Sequence, residues 1–445
     1  GEATKGFLDL LQAEGMKVWV PVSSMLDFST DAASKRQKLT ELVKRAGGHP
    51  ALLCWESIDE PAWGSQDADG LYEGYCFLRA LDQQRPIWTN HAPRNLISTL
   101  AYYNRATDIA GCDIYPVPVG CGHSNLPNTQ ISVVGDETDK NREALGGEKP
   151  VFMVLQGFGW AELSKRPPNA PPPVMPTFEQ SRFMAYDAIV HGATGLLYWG
   201  THYTAKPSRF WSELRSLVSE LAVLHDVLAA PPYDAEDRAQ LQPGSPGVRL
   251  LHKRLDSGNY VFVVNESDRP VQARVLVPTI YSGRVRRLFE DQTLPLKADQ
   301  VLTVPLKPWD VAVLSDDSRV SDERKDFSAE WRNLPPPEQR ERQFTEAGNA
   351  LRNAGFEVDG DGDDLPDAWA ANVLLSGTLT DQQPHGGAKC LALTSTGVGI
   401  APLMVQRNLP LEVDKKYRFT AWVKCPDADT EFRFYVEWTL GGRWL

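Results

Sequence analysis

The chain has 445 residues, 42% hydrophobic and 23% charged, an ordinary globular composition with enough length for two to four cores. Its net charge of −12 argues against nucleic acid and anionic membrane surfaces as partners. No apolar run approaches the ~20 residues of a membrane span. The six cysteines are scattered, with no Cys-x-x-Cys, which speaks against zinc-ribbon and thioredoxin-like chemistry. Cys112 with Cys121 and Cys390 with Cys425 stay open as pairs, because geometry decides. The chain opens Gly1-Glu2-Ala3, with neither a signal-peptide pattern nor an initiator Met, as a mature form or a fragment would.

Residues 1–230 alternate helical and strand patterns. Phe7 to Gln12 is amphipathic and stops at Gly15, a typical residue after a helix end. Met16 to Val22 reads as a strand, and Arg36 to Arg45 as a helix with Leu39, Leu42 and Val43 on one face. The apolar run from Ala51 reads as a buried strand that ends in Asp59-Glu60-Pro61, where proline stops the ladder. Leu71–Leu81, Leu96–Arg105, Val134–Leu145, Phe178–His191 and Phe210–Leu228 read as helices. Pro86–Asn90, Ile109–Tyr115, Pro150–Gln156 and Thr194–Trp199 read as strands between them. Six strands with helical neighbours imply a parallel sheet, either doubly wound or a (β/α)8 barrel. A barrel lacking its first two strands has this pattern.

Residues 231–316 change to short strands with turn signals, the pattern of an antiparallel β-sandwich. Residues 317–349 are charged and contain Pro335-Pro336-Pro337, as a linker does. Residues 350–445 are again β-rich. The expected fold is therefore α/β, an incomplete (β/α)8 TIM barrel, followed by two all-β sandwich domains.

Chemistry concentrates where barrel strands end. Asp59 and Glu60 end one strand with Trp55 nearby, Asn90 and His91 end the next, and Asp113 and Tyr115 the one after. Gln156, Trp160 and Glu162 follow the fifth strand, and Trp199 ends the sixth. Adjacent carboxylates suit general acid work, because each raises the pKa of the other when both face one pocket. Strand alternation would send them to opposite faces, so the chain must bend at that point. The 13 Trp and 13 Tyr offer flat faces for pyranose rings. An α/β oxidoreductase would need Gly-x-Gly-x-x-Gly after a strand, and the sequence has none. Asp359, Asp361, Asp363 and Asp367 have the spacing of a calcium loop, without the glycine and the closing glutamate that complete an EF-hand.

The order of segments resembles clan A glycoside hydrolases, (β/α)8 enzymes whose fourth strand ends in Asn-Glu-Pro or a close variant. Ile58-Asp59-Glu60-Pro61, after His49-Pro50, stands in that place. The resemblance implies that Glu60 is the general acid/base and that Trp199 floors the sugar site. It also implies that the seventh strand ends in the nucleophilic glutamate, where this chain has Gln156. Residues 350–445, with Asn353-Ala354-Gly355-Phe356-Glu357 and Pro366-Asp367-Ala368-Trp369, resemble carbohydrate-binding modules of families 4 and 9. The implied protein is secreted or at the cell surface. Its partner is a polysaccharide or glycan, with no cofactor for catalysis, and the spacing of the acidic loop adds a candidate structural calcium.

A neutral amide is a poor nucleophile. Three mechanisms stay open at this point. The substrate's own 2-acetamido group can attack, with Asp59 orienting it, Glu60 donating the proton and Gln156 bonding the sugar. A second acid, Glu162 or the less well placed Glu56, can serve instead. Or the barrel binds carbohydrate without cleaving it.

Overall fold

The computed structural model describes residues 5–120, 125–163, 173–332, 351–360, 365–371, 377–382, 384–393, 404–406, 409, 421–424, 439–440 and 443–444. The chain divides into two compact units, Gly1–Leu334 and Pro335–Leu445.

The first unit starts with α1 (Lys5–Ala13) and then alternates. β1 (Val18–Pro21) is followed by α2 (Ala32–Ala46), β2 (Leu52–Glu56) by α3 (Ala68–Leu81), and β3 (Ile87–His91) by α4 (Ile97–Tyr103). β4 (Ile109–Asp113) precedes α5 (Val133–Ala144), β5 (Val151–Gln156) precedes α6 (Phe178–Val190), and β6 (Gly195–Trp199) precedes α7 (Arg209–Val223) and α8 (His225–Ala229). The long helix expected at Phe210–Leu228 breaks at Leu224. All neighbouring strands pair in parallel, in the order β1-β2-β3-β4-β5-β6. This sequential order never reverses. It is the winding of a barrel, and it excludes the doubly wound layout, which requires a switch point. Among the described residues β1 and β6 each pair on one side only, so the barrel is partial.

Alternation sorts the strand residues into two cores. Trp19, Cys54, Trp88, Ile109, Phe152, Val154 and Leu197 pack together on the inner face. Val20, Trp55 and Ile87 turn outward to the helices, as do Cys112, Met153 and Leu155 farther along the sheet. Each large side chain buried this way contributes about 1.5–3 kcal/mol. Trp55 is wholly buried among Leu39, Leu42 and Leu78, and its indole N–H donates to Asp82 Oδ2 at 3.0 Å. It lies in the core on the helix side of the sheet, away from the inner face. Among the described residues Cys54, Cys76, Cys112 and Cys390 have no disulfide partner. Cys121 and Cys425 lie outside the described residues.

Beyond α8 two antiparallel sheets pack face to face. Their strands are β7 (Gln240–Leu241), β8 (Val248–Leu255), β9 (Gly258–Asn265), β10 (Val271–Leu276), β11 (Arg284–Arg287), β12 (Gln292–Pro295), β13 (Val301–Leu306) and β14 (Val311–Ser315). One sheet runs β12-β11-β14-β9-β8 and the other β13-β10-β7. Val261, Val263, Val275, Leu302, Val304 and Leu314 fill the space between them. β9 is buried on both faces. Its alternate residues Tyr260, Phe262 and Val264 enter the core around α6, where the Phe262 ring lies 6.0 Å from Tyr186. Residues 317–322 lie against Arg286 of β11, and 324–330 run along α7. Arg324 pairs with Glu220 at 2.8 Å, Lys325 N–H donates to Ser219 Oγ, and Arg215 pairs with Glu330 on α9 (Ser328–Arg332).

In the second unit Gly377–Thr380 pairs antiparallel with Cys390–Leu393. Asn353 donates to the carbonyls of Val358 and Asp367, closing the loop that carries Asp359 and Asp367. Asp367 accepts from Gly360 N–H at 3.0 Å. The other two calcium-loop residues, Asp361 and Asp363, lie outside the described residues. No helix among the described residues is long and apolar enough to cross a membrane.

Candidate active site

The conflict between strand alternation and the Asp59-Glu60 pair is resolved by one extra residue. β2 ends at Glu56. Ser57 N–H then bonds Trp88 O, and the next ladder bond comes from Glu60 N–H to Asn90 O at 3.0 Å. A regular parallel strand would use residue 59 for that bond. The inserted residue acts as a bulge and reverses the facing of the residues after it. Cys54 lies in the inner core, yet Ile58 packs outward with the helix-side cluster and Asp59 turns inward. Glu60 takes φ +44°, a left-handed conformation costing a glutamate about 1–2 kcal/mol. Gly64 N–H to Glu60 O and Gln66 N–H to Pro61 O hold the turn in place.

Asn90 organises the polar half of the rim. Its Nδ2 donates to Asp59 Oδ1 at 3.0 Å and to Asp113 Oδ1 at 3.2 Å, joining the ends of β2, β3 and β4. Glu56 faces the same way as Cys54 by alternation. Burial first, then the nearby Asp59 charge, raises its pKa above the ordinary carboxylate range. Burial raises the Tyr115 phenol well above its usual range, with the Asp113 charge next in weight. Glu60 is half-buried and lies within electrostatic reach of the Cys112 thiol. Three carboxylates (Glu56, Asp59 and Asp113) thus gather around Asn90 and Tyr115. Glu56 is under-rated by the sequence, because its inward facing becomes significant only once Asp59 is seen to turn the same way.

The other half is aromatic. Tyr115 stacks on Trp199 at 5.7 Å with 24° between planes, and Phe158 sits edge-on to both. Trp160 donates its indole N–H to Tyr115 O at 3.2 Å. Trp199 keeps 42% of its surface open, and Tyr203 and His202 lie 5.8 and 6.2 Å from its ring. Phe158 is missed by the sequence reading, although its place two residues beyond Gln156 signals the same facing.

Three of the expected site residues are engaged by the fold itself. Gln156 is fully buried, and its amide belongs to the backbone. Nε2 donates to Val117 O at 2.7 Å and Phe158 O at 3.0 Å, and Oε1 accepts from Val117 N–H. It has no hydrogen left for a sugar. His91 is fully buried on the outward face, bonded to Asn104 Oδ1 at 2.8 Å, with its pKa lowered to about 4 by burial. It is a neutral core histidine. Glu162 accepts from Gly159 N–H at 2.8 Å and so stabilises its own loop.

The order of strands and the acidic and aromatic rim together define a partial (β/α) barrel whose strand ends carry polar and aromatic side chains. No family model and no curated protein matches the chain. Solved structures similar to it include a β-galactosidase from the psychrophilic Marinomonas ef1, at 15% identity over 51% of this chain and 54% of that one, TM-score 0.38. A catalytic mutant of a family 42 β-galactosidase from G. stearothermophilus is similar at 11% identity over 71% and 87%, TM-score 0.39. A family 5 glycoside hydrolase from Bacteroides vulgatus is similar at 13% over 69% and 72%, TM-score 0.44. The chain spans about half the length of the first of these.

Proposed function

We propose that the protein is a glycoside-hydrolase-like protein that cleaves O-glycosidic bonds in a polysaccharide or glycan outside the cytoplasm. The observation that carries this reading is the Asp59–Asn90–Asp113 bridge facing the Tyr115–Trp199 stack. In this reading Trp199 holds the sugar ring and Glu60 protonates the glycosidic oxygen. Asp59, fixed by Asn90, orients a 2-acetamido group. The carbonyl oxygen of that group bonds to C1 as the C1–O bond to the leaving group breaks. The Glu60 carboxylate then takes a proton from the water that attacks C1, and the acetamide is restored. Gln156 has no catalytic part. The second unit adds carbohydrate binding, and its Asp359–Asp367 loop a structural calcium.

A second reading, carbohydrate binding without cleavage, is favoured by the commitment of Gln156 to the backbone, which leaves the fifth strand without an acid. A panel of aryl glycosides, 2-acetamido sugars included, separates the two. Under the first reading Glu60→Gln lowers kcat about 10²–10⁴-fold. Unchanged turnover removes Glu60 from the chemistry. Glycan binding with no cleavage by the wild type establishes the second reading.

A further inference from the structure

We propose that Asp187, His191 and Glu266 bind one first-row divalent cation of the zinc type where α6 meets the end of β9. Asp187 and His191 lie one helical turn apart and face the same way. Asp139, on α5, lies 2.9 Å from His191 Nδ1, which fixes the ring hydrogen on that nitrogen. Nε2 lies 2.6 Å from Glu266 Oε1, to which it donates when protonated, and 3.8 Å from Asp187 Oδ1, and a cation would take the place of that proton. One ligand atom from each of the three residues lies within 4.8 Å of the others.

Asp187 is fully buried and its Oδ1 has no hydrogen-bond partner among the described residues, while Oδ2 accepts from Gly135 N–H at 2.7 Å. Two carboxylate oxygens aimed at one ring nitrogen call for a positive centre there, which the cation would supply in place of the Nε2 proton. Gly135 packs tightly against the Nε2–Cδ2 edge of the ring and leaves no room for a side chain. A Cβ there would stand 2.6 Å from Nε2 and 2.9 Å from Asp187 Oδ2.

The donor set names the class of ion. One imidazole nitrogen with two carboxylate oxygens suits zinc and its neighbours, whereas calcium and magnesium favour oxygen alone. The surroundings are those of a held site. Asp139 is the carboxylate behind a metal-bound histidine, Arg249 steadies Glu266 at 3.2 Å, and Arg142 donates to His191 O at 3.1 Å. The ligands come from the helical layer and from the antiparallel sheets, so the ion would fasten one to the other.

The test uses the full chain, stripped with EDTA, checked for folding by circular dichroism and titrated with zinc alone. The expected result is uptake of one zinc per chain with a rise in Tm. Asp187→Asn and Glu266→Gln lose that uptake, and Asp139→Asn weakens it about 10–100-fold. X-ray absorption of the zinc-loaded wild type reads the ligand shell without any variant, and one imidazole with oxygen neighbours is expected. Absence of uptake means that a proton on Nε2 fills the gap, and the proposal falls. It falls equally if the two ligand variants keep full affinity or if the shell holds several imidazoles or sulfur.

Discussion

The two halves of the rim differ in kind. From β2 to β4 it is acidic, with Asp59 and Asp113 sharing one amide and Glu56 beside them. From β4 to β6 it is aromatic, and its one polar residue on β5, Gln156, serves the backbone. Under the proposed function, the difference teaches that charge for chemistry comes from one side only. The other side offers a surface to lie against.

The strongest way to break this division is to add an acid to the aromatic half. Gln156→Glu removes two donors and leaves the carbonyls of Val117 and Phe158 facing a buried charge. The expected loss is about 3–5 kcal/mol of stability, read by denaturant unfolding, with no gain in turnover. A stable variant with new glycosidase activity would show that the fifth strand awaits its nucleophile.

His91 sharpens the distinction between the inner and outer faces of the sheet. Its pKa is about 4 folded, against about 6.5 unfolded. Above pH 6.5 both states are neutral. As the pH falls from 6.5 to 4 the unfolded chain gains the proton first, so about 3 kcal/mol of stability is lost across that window. The stability–pH curve of His91→Gln is expected to be flatter there. Parallel curves would place His91 in contact with solvent. The smallest effect expected is at Trp199→Ala, about 1 kcal/mol of glycan affinity by calorimetry with kcat little changed. A drop in kcat alone would move Trp199 to the chemical half.

Much of the barrel is legible in the sequence. Apolar runs such as Val151–Leu155 and the helical spacing of Leu39, Leu42 and Val43 place elements close to where they lie. The hidden part depends on partners distant in sequence. The turn of Asp59 rests on which residue bonds Asn90 O, which no pattern at 51–63 encodes. Gln156 looks like a site residue until the carbonyl of Val117 is brought beside it. The group around His191 is invisible because Asp139, Asp187, His191 and Glu266 each look like ordinary surface polar residues. Pro61 marks Glu60 as the end of a strand region, but the left-handed backbone of Glu60 depends on the extra residue before it.

The two-faced burial of β9 bears on how the chain becomes a folded molecule. Phe183 and Tyr186 on α6 are covered by Tyr260, Phe262 and Val264, and Arg182 bonds Val311 O on β14. Cooperativity therefore crosses from the helices into the sheets. A chain ending at Ala230 would keep every barrel element and still present a bare aromatic face to water, so it would aggregate where the 334-residue unit melts in a single transition.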